Sequence, residues 1–115
     1  MGRPGNTVLA RTEESCVEQL ARFFPLARPV KIPVQVTSSR GSRTHLREET
    51  VVEFSSGDHA IFLSALPLEF GDRVRLEARP EGHQAEAKVD AVQYDEGCKA
   101  VAVKFLQGPC DWVVS

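Results

Sequence analysis

Residues 71–91 read GDRVRLEARPEGHQAEAKVDA, and this stretch decides the fold class. Val74, Leu76 and Ala78 alternate with Arg73, Arg75, Glu77 and Arg79; Glu81-Gly82 then interrupts; Ala85, Ala87, Val89 and Ala91 alternate with Glu86, Lys88 and Asp90. A period of two marks a strand with one dry face and one wet face, and a Gly-containing break between two such runs marks a hairpin. Two strands with dry faces need further strands to cover them. The alanines expected on the inner face suit a tightly curved sheet, in which small and large side chains must alternate.

The same period extends outward in both directions. Upstream, Val30, Ile32, Val34 and Val36 alternate with Lys31, Pro33, Gln35 and Thr37. Pro33 lacks a ladder donor, which places this strand at an edge or beside a bulge. A polar turn over 38–43 leads to a run in which Val52 and Phe54 are expected on one face, with Val51 and Glu53 on the other. Ser55 to Asp58 form the next turn, and Ala60 to Leu63 a short strand. Downstream, Asp95-Glu96-Gly97 turns the chain into Val101, Val103 and Phe105, and Gly108-Pro109 separates off the closing residues 110–115. Strands at this spacing predict an all-β domain, a small antiparallel sandwich or barrel of six short strands.

A helix is expected ahead of them. Thr12 is a suitable N-cap, Glu13 and Glu14 suit the first turn, and Val17, Leu20, Ala21 and Phe24 form one apolar stripe that Pro25 ends. So short a helix must dock, and the expectation is that it plugs one end of the strand domain or covers an edge. The chain thus divides into a flexible tail (1–11), a helix and arm (12–28), and a barrel with a short closing segment (29–115).

Composition narrows the function classes. In 115 residues no apolar run approaches the ~18–20 needed to cross a bilayer, and the opening residues carry no apolar signal-peptide centre, so neither membrane insertion nor export is expected. Cys16, Cys98 and Cys110 are odd in number and lack C-x-x-C spacing, which fits reduced thiols in a cytoplasmic protein. His45, His59 and His83 are read as surface turn residues, with no second metal ligand at standard spacing. No phosphate-binding glycine loop or nucleophile elbow is present, so no catalytic residue, metal or cofactor is nominated and the expectation is a non-enzyme.

Charge is uneven. The net is −2, but residues 1–47 hold eight Arg/Lys against three Glu, while 48–115 hold six against 13 acids. Guanidinium forks match phosphate oxygens and guanine edges, which draws attention to Arg22, Arg28, Arg40, Arg43 and Arg47. Long nucleic acid is the weaker use for them, since Phe54, Phe62 and Phe105 are expected in the core rather than as stacking platforms.

On four segments the chain resembles the PilZ domain, a bacterial receptor module for cyclic di-GMP. These are Arg28-Pro-Val-Lys-Ile-Pro-Val-Gln-Val36, Glu53-Phe-Ser-Ser-Gly-Asp58, Pro67-Leu-Glu-Phe-Gly-Asp-Arg-Val-Arg-Leu76 and Gly97-Cys-Lys-Ala-Val-Ala-Val-Lys-Phe-Leu106. The likeness spans about residues 22–112. It implies a six-stranded antiparallel barrel with a ligand site on its outer wall. It also implies an Arg-x-x-x-Arg arm before the first strand and an Asp/Asn-x-Ser-x-x-Gly element on the barrel. Arg28 matches the second arginine, but Phe24 stands where the first belongs, with Arg22 two residues before it. Ser55 is retained, Glu53 replaces Asp/Asn, and Asp58 stands at the glycine position beside Gly57. Arg43-Thr-His-Leu-Arg47 has the literal spacing but follows the first strand, and is read as a solvated hairpin face. The ligand-binding candidates are therefore Arg22, Arg28, Glu53, Ser55 and Gly57. The expected function is a cytoplasmic signalling receptor or adaptor with weakened or lost affinity for cyclic di-GMP. The alternative is a nucleotide-independent protein-interaction module on the same barrel, docking through Cys16, Val17, Leu20, Phe23 and Phe24.

Overall fold

The computed structural model describes residues 15–38, 46–79 and 82–108. A helix α1 (Cys16–Ala21) precedes six strands: β1 (Arg28–Ser38), β2 (Leu46–Ser55), β3 (His59–Leu63), β4 (Arg73–Ala78), β5 (Gln84–Asp95) and β6 (Cys98–Phe105). They close into an antiparallel barrel in the order β1-β2-β3-β6-β5-β4, with β4 hydrogen-bonded back to β1. Closure leaves no edge to protect.

Period-two alternation places Val34, Val36, Val52, Ala60, Phe62, Val74, Leu76, Ala87, Val89, Val101, Val103 and Phe105 inside. Pro33 is accommodated as its chemistry requires: the β1–β2 register shifts between Pro29 and Ile32, and pairing with β4 begins only at Val34. The β5–β6 hairpin turns on Glu96 and Gly97, both at positive φ, between the paired Asp95 and Cys98. Two left-handed residues in a two-residue loop make the type I′ turn, whose twist matches the flanking strands.

Simple alternation fails at two β-bulges. The β2–β3 register shifts between Val52 and Phe54, and the β5–β6 register between Val89 and Ala91. One extra residue reverses the facing of all that follow. Phe54 and Ala91, expected inside, therefore point outward and join Ile61, Ala100 and Ala102 in a second apolar cluster on the barrel's outer wall.

That second cluster is what α1 covers. Cys16, Val17 and Leu20 are buried on it, with Ala21 and Phe24 at its border. The helix neither plugs an end nor guards an edge, because a closed barrel has no edge and the bulges have built it a dry platform on the wall. One end of the barrel is instead stopped by the β3–β4 connection, which drops Leu68 into the core with Leu66 packed beside it. The helix start also differs from expectation. Ser15 is the N-cap, in a reciprocal capping box with Glu18: the Glu18 amide donates to Ser15 Oγ (3.1 Å) and the Ser15 amide to Glu18 Oε1 (2.9 Å). Thr12, the tail 1–11, the turn residues 39–43 and the closing residues 110–115 lie outside the described residues.

Candidate functional site

The site is best built from the arm that joins α1 to β1. Arg22 caps the helix, and the chain continues in tight turns: the Phe23 amide donates to Leu20 O, Phe24 to Ala21 O, and Ala27 to Phe24 O. Pro25 takes the second position of the last turn, where its fixed φ is favourable. The arm therefore lies across the barrel wall as an ordered strap from Arg22 to Arg28.

Opposite the strap is the β2–β3 turn. Its hydroxyls are used to close it: Ser55 Oγ donates to the carbonyl of His59 (2.8 Å), and Ser56 Oγ accepts the amides of Asp58 (3.2 Å) and His59 (3.1 Å). Between strap and turn lies a shallow pocket of about 360 Å³. Phe23 to Ala27 form one side, and Ser56, Asp58, His59 and Asp90 the other.

His59 is the centre of this wall. Its Nε2 lies 3.1 Å from Asp90 Oδ2, and its ring meets that of Phe24 at 4.7 Å between centroids. The sequence pattern puts His59 on the surface in a turn; the structure instead sets it half-buried at the start of β3. It pairs with Lys104 at the start of β3, and the bulge in β5 brings Asp90 to it. Nothing in the alternation of either strand signals this meeting, because it depends on the register between strands distant in sequence.

Arg28 and Ser55 are direct cross-strand partners at the open ends of β1 and β2, and Gly57 sits at the exposed tip of the adjoining turn. Ser55 is only 4% exposed and its hydroxyl is engaged, while Arg28 is exposed. Glu53 occupies the β2 bulge, half-buried. Arg22 stands at the far end of the strap as the helix cap. Neither arginine lines the pocket; Asp58 and Asp90 do.

The fold has a counterpart among solved structures. The inhibitor of motility MotI/DgrA of Bacillus subtilis, a PilZ-domain protein, is similar with a TM-score of 0.51 at 15% identity. The barrel is of the PilZ type. The match covers 70% of this chain but only 40% of that protein, so it concerns the fold alone. No family model matches the sequence, and no curated protein matches it.

A larger concavity, about 580 Å³, lies at the opposite end of the barrel. Its polar groups are structural. Glu48 accepts from Ser64 Oγ (2.7 Å) and the Ala65 amide (2.6 Å), and Lys99 donates to the Leu66 carbonyl, so both hold the β3–β4 connection in place. Among the described residues no helix is long and apolar enough to cross a membrane.

Proposed function

We propose that this chain is a PilZ-type signalling adaptor whose strap-and-turn site holds cyclic di-GMP weakly or not at all. The observation that carries the reading is Phe24. It stands where the resemblance expects the first arginine of the arm, and its ring is committed to His59, which Asp90 anchors. A dinucleotide needs cations for two phosphates and forks for its guanines. Among the described residues the pocket wall carries two carboxylates and no Lys or Arg. A carboxylate within ~4–6 Å of a phosphate costs on the order of 1 kcal/mol or more in a partly screened site. Arg28 is the remaining grip, with Arg22, Glu53, Ser55 and Gly57 as secondary contacts. That the fold occurs in a protein named as an inhibitor of motility supports a regulatory rather than a catalytic reading.

Titration calorimetry tests this directly. The expected result is no saturation with cyclic di-GMP at about 100 μM, a ceiling of roughly −5.5 kcal/mol in binding free energy, and loss of any residual heat in Arg28→Ala. A submicromolar dissociation constant would overturn the proposal.

A second reading, protein interaction independent of nucleotide, is favoured by one observation. Cys16, Val17 and Leu20 are spent on the barrel wall, but Phe23 and Leu26 on the strap are 72% and 79% exposed. The docking surface this reading needs is therefore the strap, not the helix.

A further inference from the structure

The geometry points to a dithiol site formed by Cys16 and Cys98, which reacts with a disulfide oxidant and thereby fastens α1 covalently to the barrel. Cys16 opens the helix and is buried, its Sγ donating to the Gln93 carbonyl at 3.1 Å and lying 3.8 Å from the carbonyl oxygen of Cys98. Cys98 opens β6 beside the type I′ turn and is exposed. Val101, Val103 and Phe105 face the core, so alternation puts Cys98 on the outward face with Ala100 and Ala102, the face that α1 covers. Both thiols thus belong to one wall, on adjoining elements.

The surrounding contacts hold that register. Gln19 donates to Asp95 Oδ2 (2.9 Å) and accepts from Gln93 Nε2 (3.2 Å), pinning the helix over the β5–β6 hairpin. A bridge needs Cα atoms within roughly 7 Å and the Cβ atoms facing. Cys16 Sγ already reaches the backbone of Cys98, which sets the two residues side by side across the junction of helix and strand.

Accessibility orders the chemistry. Burial pushes the Cys16 thiol up, so it is the poorer nucleophile toward solvent. The exposed Cys98 thiolate attacks one sulfur of the oxidant, its S–S bond breaks, and one thiolate leaves. Cys16, deprotonated as the helix start opens, then attacks Cys98 Sγ and expels the second half of the oxidant. Two protein thiols are oxidised, one disulfide is reduced to two thiols, and the two protons leave on them.

The consequence reaches the pocket. A six-residue helix is too short to persist without docking, and the strap that lines the pocket hangs from it. A link from Cys16 to Cys98 fixes both.

The test is to treat the full-length chain with oxidised glutathione, block remaining thiols, and map cysteine states by mass spectrometry without reduction. The expected product is a Cys16–Cys98 linked peptide, two hydrogens lighter than its parts, formed equally in Cys110→Ser and absent in Cys98→Ser. Its melting temperature should rise by roughly 5–15 °C and fall back on reduction. Any other end state overturns the proposal: unreacted thiols, a stable glutathione adduct on Cys98, or pairing with Cys110. A Cys16–Cys98 link without a rise in melting temperature would overturn the clasp.

Discussion

Phe62→Ala is expected to destabilise the barrel by about 3–5 kcal/mol, the cost of removing a large buried side chain and leaving the cavity unfilled. Phe62 is fully buried on β3, paired with Val52 on one side and Val101 on the other, and it is the largest fully buried side chain among the described residues. A domain of this size commonly has about 5–15 kcal/mol in total, so the variant should lose roughly 10–25 °C in melting temperature. Leu68→Ala should cost about 2–5 kcal/mol although it lies on a connection, because that connection closes the barrel end. Urea unfolding followed by circular dichroism measures both. A loss below about 1 kcal/mol at Phe62 would mean that the interior is not packed around it.

The second large effect concerns the pocket. Phe24→Arg combined with Asp58→Gly is expected to tighten cyclic di-GMP binding by about 10–100-fold over the natural chain. The first change supplies a guanidinium fork, and a hydrogen bond to a charged group contributes about 1.5–3 kcal/mol. The second removes a carboxylate from the wall. Part of the gain is offset by the lost Phe24–His59 ring contact, worth up to about 1 kcal/mol. Calorimetry on the double variant and on each single change reads the effect. If the double variant binds no better than the natural chain, the weakness does not lie in these two positions.

Much of the barrel was legible in the chain because strand alternation is a local signal. Val74, Leu76 and Ala78 announce their burial within seven residues, and all three are buried. The bulges were not legible. Placing an extra residue at Glu53 or Asp90 depends on what the neighbouring strand presents, and so alternation alone sets Phe54 and Ala91 on the wrong face. The helix's destination is hidden for the same reason, since the bulges create its platform on the outer wall. Leu68 was hidden because turn chemistry on either side marks residues 64–72 as a connection, and connections are usually superficial.

The site was partly legible for a similar reason. Arg28 and Ser55 could be nominated from motif likeness, and the register sets them opposite each other. The trio of Phe24, His59 and Asp90 could not be read, for its members come from a strap, a strand start and a bulge separated by up to 66 positions in sequence. Their association appears only when the barrel closes.

The proposal on which the rest depends is that the strap and the β2–β3 turn of this PilZ-type barrel mark a cyclic di-GMP site with little grip. The most direct measurement is an NMR titration of the isotopically labelled chain with cyclic di-GMP. Small, unsaturated shifts confined to residues 22–28 and 53–59 are the predicted result. Shifts that saturate at low micromolar ligand, or that cluster instead around Glu48, Tyr94 and Lys99 at the other end of the barrel, would contradict it.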